Sequence, residues 1–252
     1  MIRREMDEGA AWCLVPQIDH AHLAAEIAAH WRPLQNEEPA IRADLIAAVQ
    51  HHDDGWCDFD ATAQLDPAVG SPIAFYELPY GQDNQIWARS IRAAEELGPL
   101  PAYLVARHFL RLRPLDPEAD PDGLNAEFVE QFESECERWL TDWAALRAED
   151  GGNRSLAEKT VDYLQFFDLL SLMICLGRGM PPQSYETPAA TQVSLQRRGL
   201  WEYHLSPIEL SREKLEIELS SYRLPARNYS SDQEMKQELV AEKVNLRLVS
   251  AE

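Results

Sequence analysis

The segment HHDDGW, residues 51–56, places two histidines directly before two aspartates. Imidazole nitrogens and carboxylate oxygens are the donors with which proteins bind Fe, Mn or Zn, and carboxylates also bind Mg. On a helix that begins near Ile41, the apolar stripe runs onto His52 and Asp53, so both are predicted to point inward. A buried carboxylate needs a partner, and a divalent metal shared with an imidazole is one solution. We therefore predict His52 and Asp53 as metal ligands.

A polar helix end in water is the alternative interpretation of this segment. Histidines near a helix C-terminus interact favourably with the helix dipole, but two aspartates at that end do not. The metal interpretation is therefore favoured. In that interpretation His51 and Asp54 flank the site, where they could complete a second metal site or accept hydrogen bonds from its ligands.

Two further histidines are predicted on apolar helix faces. His20 lies on the apolar face of the alanine-rich segment 19–31, and His108 lies on the apolar face of segment 100–112. A single histidine on such a face is more often hydrogen-bonded within the core than bound to a metal. Each of the two is therefore a candidate ligand only in combination with the others.

Asp168 is the one charged residue between Asp162 and Arg178, in the middle of the most apolar predicted helix. An aspartate in that position requires a cation or several hydrogen-bond donors. A salt bridge to Arg89 or Arg107 is the alternative to a metal. We favour the metal because four separate helices each place donors on an apolar face. The predicted ligand set is His20, His52, Asp53, His108 and Asp168.

These donors lie on segments with helical periodicity, which predict a helical body over residues 1–180. The predicted helices cover residues 19–31, 39–53, 84–98, 100–112, 125–148 and 155–177. A stretch rich in proline and aspartate, 57–82, separates them as a long loop. In it Phe75, Tyr76 and Tyr80 could cover a ligand or simply fill the end of the bundle. The expected fold class is therefore mainly α.

From residue 186 to residue 252 the pattern changes to short alternating segments, which predict a small strand-rich annex. The segments are TQVSLQ, WEYHL, KLEIELSS and KVNLRLVS, with a short helix near SDQEMKQEL. This annex could pack on the bundle as a sheet, serve as a lid, or form the contact of a homo-oligomer.

The composition narrows the range of partners. The 252 residues include 43 acidic and 23 basic side chains, a formal net charge of −20. Such a surface repels nucleic-acid backbones and anionic membranes. The longest apolar run, LLSLMICLG, is too short to span a bilayer, and the segment MIRREMDEGAAW lacks the apolar core of a signal peptide. We therefore predict a cytoplasmic protein whose partner is a small molecule.

The order of the donors, H…HD…D on successive helices, resembles the HD-domain superfamily of metal-dependent phosphohydrolases. The segment HDDGW is similar to the HDxGK of the HD-GYP cyclic-dinucleotide phosphodiesterases, with Trp56 where the lysine stands. The GYP signature is absent, so hydrolysis of cyclic dinucleotides is not implied. Over most of its length the chain also resembles a bacterial family known as a domain of unknown function. That likeness is carried by QIDHAHLA, HDDGW, LDPAVGSPIAF, WARS, ARHF and FDLLSLMIC.

The resemblance to the HD-domain superfamily implies an HD-like helical bundle that holds one or two divalent metals, Fe, Mn, Zn or Mg. His20, His52, Asp53 and Asp168 would hold one metal, and His108 would hold a second or orient a phosphate. The implied activity is metal-dependent hydrolysis of a small phosphorylated or nucleotide-like molecule.

The same resemblance suggests roles for four more side chains. Asp54 would act as a base towards the attacking water, and Trp56, Arg89 and Arg111 would contact the substrate. Two alternatives stay open: HD-like di-iron oxygenases of small polar molecules use the same ligands, and a sensor module would bind without turnover. Metal identity separates the first alternative from a hydrolase, because iron that supports O₂ uptake indicates an oxygenase.

Overall fold

The computed structural model describes residues 1–78, 81–113, 120, 122–147, 154–207 and 209–250. The helices of this part of the chain are α1 (Gln17–Ala29), α2 (Pro39–His51), α3 (Cys57–Asp60), α4 (Gln82–Glu95), α5 (Pro99–Leu112), α6 (Leu124–Leu146), α7 (Arg154–Cys175) and α8 (Asp232–Glu238). The strands are β1 (Ile2–Met6), β2 (Ala11–Val15), β3 (Leu65–Asp66), β4 (Ser71–Pro72), β5 (Gln183–Glu186), β6 (Gln192–Arg197), β7 (Glu202–Ser206), β8 (Lys214–Pro225) and β9 (Val240–Ser250).

Seven of these strands form one sheet, in the order β1-β2-β8-β9-β7-β6-β5. All neighbours are antiparallel except β7 and β9, which run parallel with Glu202 opposite Arg247. The long hairpin of β8 and β9 forms the centre, and the N-terminal hairpin of β1 and β2 extends it through β8. Strands β3 and β4 pair separately as a short ribbon.

The expectation of a mainly α fold is wrong, because the seven-stranded sheet makes the architecture mixed α and β. The sheet is also larger than an annex, since residues 2–15 contribute two of its strands. Those strands escaped sequence analysis for a physical reason. Each is only five residues long, and β2 is stabilised by pairing with β8, some two hundred positions later in the chain. The division between 180 and 186 stays a prediction.

The predicted helices do occur, with ends set by ordinary local chemistry. Helix α2 begins with Pro39 at its first position, where the missing N–H costs no hydrogen bond. Helix α5 begins with Pro99 directly after Gly98 and is buried along nearly its whole length. No helix in the described ranges combines the length and apolarity needed to cross a membrane. A location in the cytoplasm stays a prediction.

The core lies between the helices and one face of the sheet. Helix α1 packs against α2, α7 and strand β8, and α5 packs against α2, α4, α6 and α7. At the end of α1 the fully buried ring of Trp31 contacts Phe166 and Phe167 of α7, with ring centroids 5.2 and 5.7 Å away. Helices α1, α2, α5 and α7 are thereby fixed relative to one another, and these four carry the predicted metal ligands.

Candidate metal centre

Five side chains from four helices meet in the middle of the helical layer. His20 comes from α1, His52 and Asp53 from the turn that ends α2, His108 from α5, and Asp168 from α7. The first four are buried, and the side chain of Asp168 is 17% exposed. Positions far apart in the chain therefore contribute to one cluster.

Two carboxylate oxygens lie between two imidazole nitrogens. His20 Nε2 is 3.2 Å from Asp53 Oδ2 and 3.2 Å from Asp168 Oδ1. His52 Nε2 is 3.5 and 3.3 Å from the same two oxygens. Four donor atoms thus surround one point, and each nitrogen faces both oxygens.

The backbone fixes which nitrogen of His52 carries the proton. Its Nδ1 lies 2.8 Å from the carbonyl oxygen of Val49, which can only accept a hydrogen bond. Nδ1 must therefore be the protonated nitrogen, and in the neutral imidazole the lone pair is on Nε2. That buried Nε2 has no hydrogen-bond partner of good geometry among the described residues. His52 therefore presents a lone pair to the carboxylates.

A serine has the same effect on His20. The Ser171 hydroxyl donates to the carbonyl of Asp168 at 2.9 Å, so its oxygen accepts from His20 Nδ1 at 2.8 Å. In the neutral imidazole the lone pair is again on Nε2. Two nitrogen lone pairs then face two carboxylate oxygens, an arrangement that repels unless a cation lies between them.

Protons are one such cation, and the pKa shifts show how strongly the cluster attracts positive charge. Burial alone lowers the pKa of His52, but the charge of Asp53 and the contact with Asp168 outweigh it and raise that pKa to about 9. Burial lowers and the two carboxylates raise the pKa of His20, with a net rise. Burial raises the pKa of Asp168, but both histidines hold it well below its usual range.

A divalent metal is the other cation that fits. Metal–ligand bonds of about 2.0–2.2 Å at tetrahedral angles place neighbouring donor atoms roughly 3.3 Å apart. The four nitrogen–oxygen separations, 3.2 to 3.5 Å, agree with that spacing. The nearest donor atoms of His20, His52 and Asp168 lie within 4.8 Å of one another, and Asp53 Oδ2 adds a fourth donor. These residues form a candidate metal-binding group.

His108 lies to one side of this group. Its Nε2 is 3.7 Å from Asp168 Oδ2, the carboxylate oxygen that the other histidines do not share. Burial, partly offset by Asp168, lowers the pKa of His108 to about 4, so the ring is neutral at pH 7. His108 and this Asp168 oxygen are two donors, fewer than a metal site needs, and the candidate group of donor atoms found among the described residues does not include His108.

A cavity of about 560 Å³ opens onto the cluster. Its walls are mostly aromatic and aliphatic, and Trp56, Phe75 and Tyr76 line it as loop and turn residues. Tyr80 lies outside the described residues. No lysine or arginine occurs among the described lining residues, which also include Gln17, Asp83, Trp87, Phe109, Leu112, Gln165, Leu169 and Leu172.

Several predicted site residues are placed elsewhere. Asp54 and His51 bond to each other at 2.9 Å, both half-exposed, and neither lines the cavity as described. The Arg89 guanidinium donates to the carbonyl of Gly55. Arg111 pairs on the outer surface with acids of α7. Trp56, by contrast, lines the cavity.

The arginine alternative for Asp168 is not what the structure has. Arg107 pairs with Glu133 and Glu158, and Arg89 bonds to backbone. Histidine nitrogens are the charged or polar groups within 4 Å of the Asp168 carboxylate among the described ion pairs. Asp168 therefore faces groups that can release their protons.

Two positioning serines escaped sequence analysis. Ser171 follows Asp168 by three positions, and that helical spacing was the available signal. Ser90 Oγ accepts from the backbone N–H of Gly55 at 2.9 Å. A Cβ on Gly55 would lie 2.0 Å from the carbonyl oxygen of Ile86, so only glycine lets the HHDDGW turn pack this closely on α4. That packing sets where His52 and Asp53 point.

The chain belongs to the family described as "Protein of unknown function (DUF3891)", whose model matches residues 1–226. This match agrees with the likeness to a domain of unknown function and brings no evidence for a relationship to the HD-domain superfamily. No curated protein and no solved structure matches the chain.

Proposed function

We propose that this protein is a metal-dependent hydrolase of the HD-like type, acting on a small phosphorylated or nucleotide-like molecule. One observation carries the proposal: Val49 and Ser171 direct the Nε2 lone pairs of His52 and His20 at the same carboxylate oxygens. A structural ion pair does not need this arrangement, because an arginine would neutralise Asp168 more permanently.

The chain's own residues divide the work. His20, His52 and Asp168 would hold a divalent metal with Asp53, and the bound metal supplies an activated water and a Lewis acid. His108 is neutral, lines the cavity and lies 3.7 Å from Asp168 Oδ2, so it can orient a water or substrate by a hydrogen bond. Asp54, bonded to His51, stays a candidate base only if that contact opens.

The cavity limits the substrate. Its volume of about 560 Å³ suits a small molecule, and Trp56, Phe75, Trp87 and Phe109 offer faces for a planar group. Because the described walls contain no lysine or arginine, a phosphoryl group there would depend on the metal and the histidines for charge neutralisation. This favours a substrate with one reacting anionic group and an apolar or planar part.

Metal analysis combined with an activity screen tests the proposal. Protein stripped with chelator is reconstituted separately with Mn, Zn, Mg and Fe(II), and each form is assayed on a panel of phosphate esters. We expect about one metal per chain and hydrolysis that His52→Ala and Asp168→Ala abolish. His22→Ala and Asp162→Ala are the controls, because His22 lies on α1 with the ligand His20, Asp162 lies on α7 with Asp168, and neither belongs to the cluster.

Metal bound without any ester hydrolysis or O₂ uptake would overturn the proposal in favour of a non-catalytic binding module. Hydrolysis retained in Asp168→Ala would overturn the assignment of this site.

An iron-dependent oxygenase is the second candidate, favoured by the ligand types. His20, His52 and Asp168 are two histidines and one carboxylate, the set that holds Fe(II) in many non-haem oxygenases. The apolar cavity walls suit an organic substrate equally well. Substrate-dependent O₂ uptake by the Fe(II) form, absent from the Mn and Zn forms, would select this activity over hydrolysis.

A further inference from the structure

A second and larger cavity, about 1000 Å³, lies beyond the C-terminal end of α7. Residues 176–178 and 197–200 line it together with residues 5–9, which lie at the end of β1 and in the turn after it. Tyr76 lines both this cavity and the one at the candidate metal centre, so the two adjoin. Leu172 of α7 lines the cavity at the candidate metal centre, and Leu176, just after the end of α7, lines the larger cavity.

Three guanidinium groups that line this cavity have no carboxylate partner among the described residues. Arg197 donates to the carbonyl of Gly177 and contacts the Met180 sulfur, and neither Arg178 nor Arg198 forms an ion pair within the described part of the chain. The chain has 43 acidic and 23 basic residues, so acids are available almost everywhere on its surface. A group of arginines left without acids is therefore informative.

A fourth arginine, Arg4, is buried next to residues that line the cavity. Arg4 is only 2% exposed and donates to the carbonyl oxygens of Ile174 and Leu200 rather than to an acid, while its guanidinium stacks on Trp201 at 4.1 Å. Its Nε has no hydrogen-bond partner among the described residues. A Cβ at Gly177 would lie 2.8 Å from that Nε and 3.2 Å from Arg197 Nη1. The bare backbone of Gly177 thus keeps the cavity close to two guanidiniums.

Exposed apolar side chains line the same cavity as these arginines. Tyr76, Met180 and Leu200 line the cavity and are 56%, 66% and 54% exposed. Exposed apolar groups beside unpaired charge are typical of sites that bind a ligand with both characters.

We propose that this cavity binds a small organic phosphate, with the phosphate on Arg178, Arg197 and Arg198 and an apolar or aromatic part against Tyr76, Met180 and Leu200. The site is separate from the candidate metal ligands and does not require a metal. It rests on the proposed hydrolase only if the bound molecule is also the substrate.

Acidic side chains that line the same cavity limit its affinity for a phosphate. Asp7 pairs with Arg223 and Arg3 pairs with Glu77, so these charges are compensated. Glu5 and Glu8 also line the cavity, have no ion-pair partner in the described ranges and repel an anion bound there. Removing their charges is therefore expected to tighten anion binding, whereas removing the arginines is expected to weaken it.

Calorimetric titration with phenyl phosphate, inorganic phosphate and phenol tests the inference. We expect phenyl phosphate to bind more tightly than inorganic phosphate, and phenol not to bind. Substituting Arg178→Ala together with Arg198→Ala should weaken phenyl phosphate binding about tenfold or more, and Glu5→Gln with Glu8→Gln should strengthen it about twofold or more. Arg32→Ala with Arg212→Ala is the matched control, because both arginines are exposed and neither is among the described lining residues of the cavity.

Binding that persists in Asp168→Ala supports this site whatever becomes of the hydrolase, which is judged by metal content and ester hydrolysis. Three results would overturn the inference: no binding of phenyl phosphate, equal losses in the control variant, or binding lost in Asp168→Ala and kept in the arginine variant. Inorganic phosphate binding as tightly as phenyl phosphate would overturn the proposed ligand class.

Discussion

Helices α5 and α7 contribute to two clusters of charged side chains. In the outer cluster the carboxylates pair with an arginine, and in the inner cluster they face histidines. On the outer side Arg111 reaches Glu158 at 2.5 Å and Asp162 at 2.7 Å, all partly exposed. On the inner side of α7, after Asp162 in the chain, Asp168 faces histidines instead. The same pair of helices therefore holds a permanent ion-pair network in water and, together with α1 and the turn that ends α2, forms a histidine cluster in the core.

The two clusters differ in whether the positive charge beside the carboxylates can be replaced by a metal ion. An arginine stays protonated at every accessible pH, so its carboxylate partners are permanently occupied. A histidine can release its proton and then offers a lone pair to a metal. The outer cluster can therefore only stabilise, and weakly because water screens it, whereas the inner cluster can trade protons for a metal ion.

The largest difference is expected from removing one aspartate of each cluster. Asp168→Asn takes away a carboxylate oxygen that both His20 and His52 face, so metal affinity should fall by about a hundredfold or more. Asp162→Asn on the outer side should leave it unchanged. Competition with a fluorescent chelator measures both affinities, and equal affinities in the two variants would show that Asp168 is not a ligand.

The two clusters should also respond differently to pH. In metal-free protein the folded-state pKa of His52 is about 9, above its ordinary 6.5. The stability that its charged form contributes is therefore complete below about pH 6.5 and is lost as the pH rises through about 9. Metal binding displaces that proton, so metal affinity should rise over the same window, by up to about tenfold per pH unit for each proton released.

Chemical unfolding of metal-free protein between pH 6 and pH 9.5, about the range of that window, measures the first effect. His52→Gln is the control and should flatten the profile, while Arg111→Gln should not. A wild-type profile as flat as that of His52→Gln would contradict the claim that His52 is protonated in the metal-free protein.

Ser171 should matter for metal affinity although it is not a ligand. Ser171→Ala removes the acceptor that holds the proton on His20 Nδ1, so the ring can turn or change tautomer. We expect a loss of about tenfold in metal affinity. Thr160→Val on the same helix deletes a hydroxyl bonded only to the Leu156 carbonyl and should have no such effect. Equal losses would mean that the serine acts through helix stability alone.

The smallest effect is expected on the outer side. Arg111→Gln breaks contacts with Glu158, Asp162 and Gln165, all partly exposed, and should cost less than about 1 kcal/mol of unfolding free energy. Metal affinity and any KM should stay unchanged, since Arg111 does not line the cavity as described. A raised KM with normal stability would return Arg111 to the substrate-binding role first predicted for it.

The inner cluster was accessible from sequence because a helix repeats its faces at a fixed period. His20, His108 and Asp168 each fall on an apolar stripe, and helical spacing alone predicts that they point inward. Spacing cannot say which neighbouring helix a long side chain will reach. Arg111 was predicted near the site, but the acids of α7 bind it on the outer surface.

The sheet shows the other limit of the sequence. The strands after residue 186 alternate over long stretches, as β8 does with buried and exposed positions in turn, and they were predicted. Strands β1 and β2 are short, and their pairing depends on a distant partner, so local pattern does not predict them. The fold class was wrong for this reason, although the helices that carry the candidate ligands were placed correctly.

Anomalous diffraction from crystals of metal-reconstituted protein tests the central claim most directly. The account predicts one strong anomalous peak between His20 Nε2, His52 Nε2 and Asp168 Oδ1, about 2.0–2.2 Å from each, with Asp53 beside it. A peak at His22 or His204 instead would contradict it. The absence of a peak at the cluster in protein saturated with Mn, Zn or Fe(II) would contradict it as well.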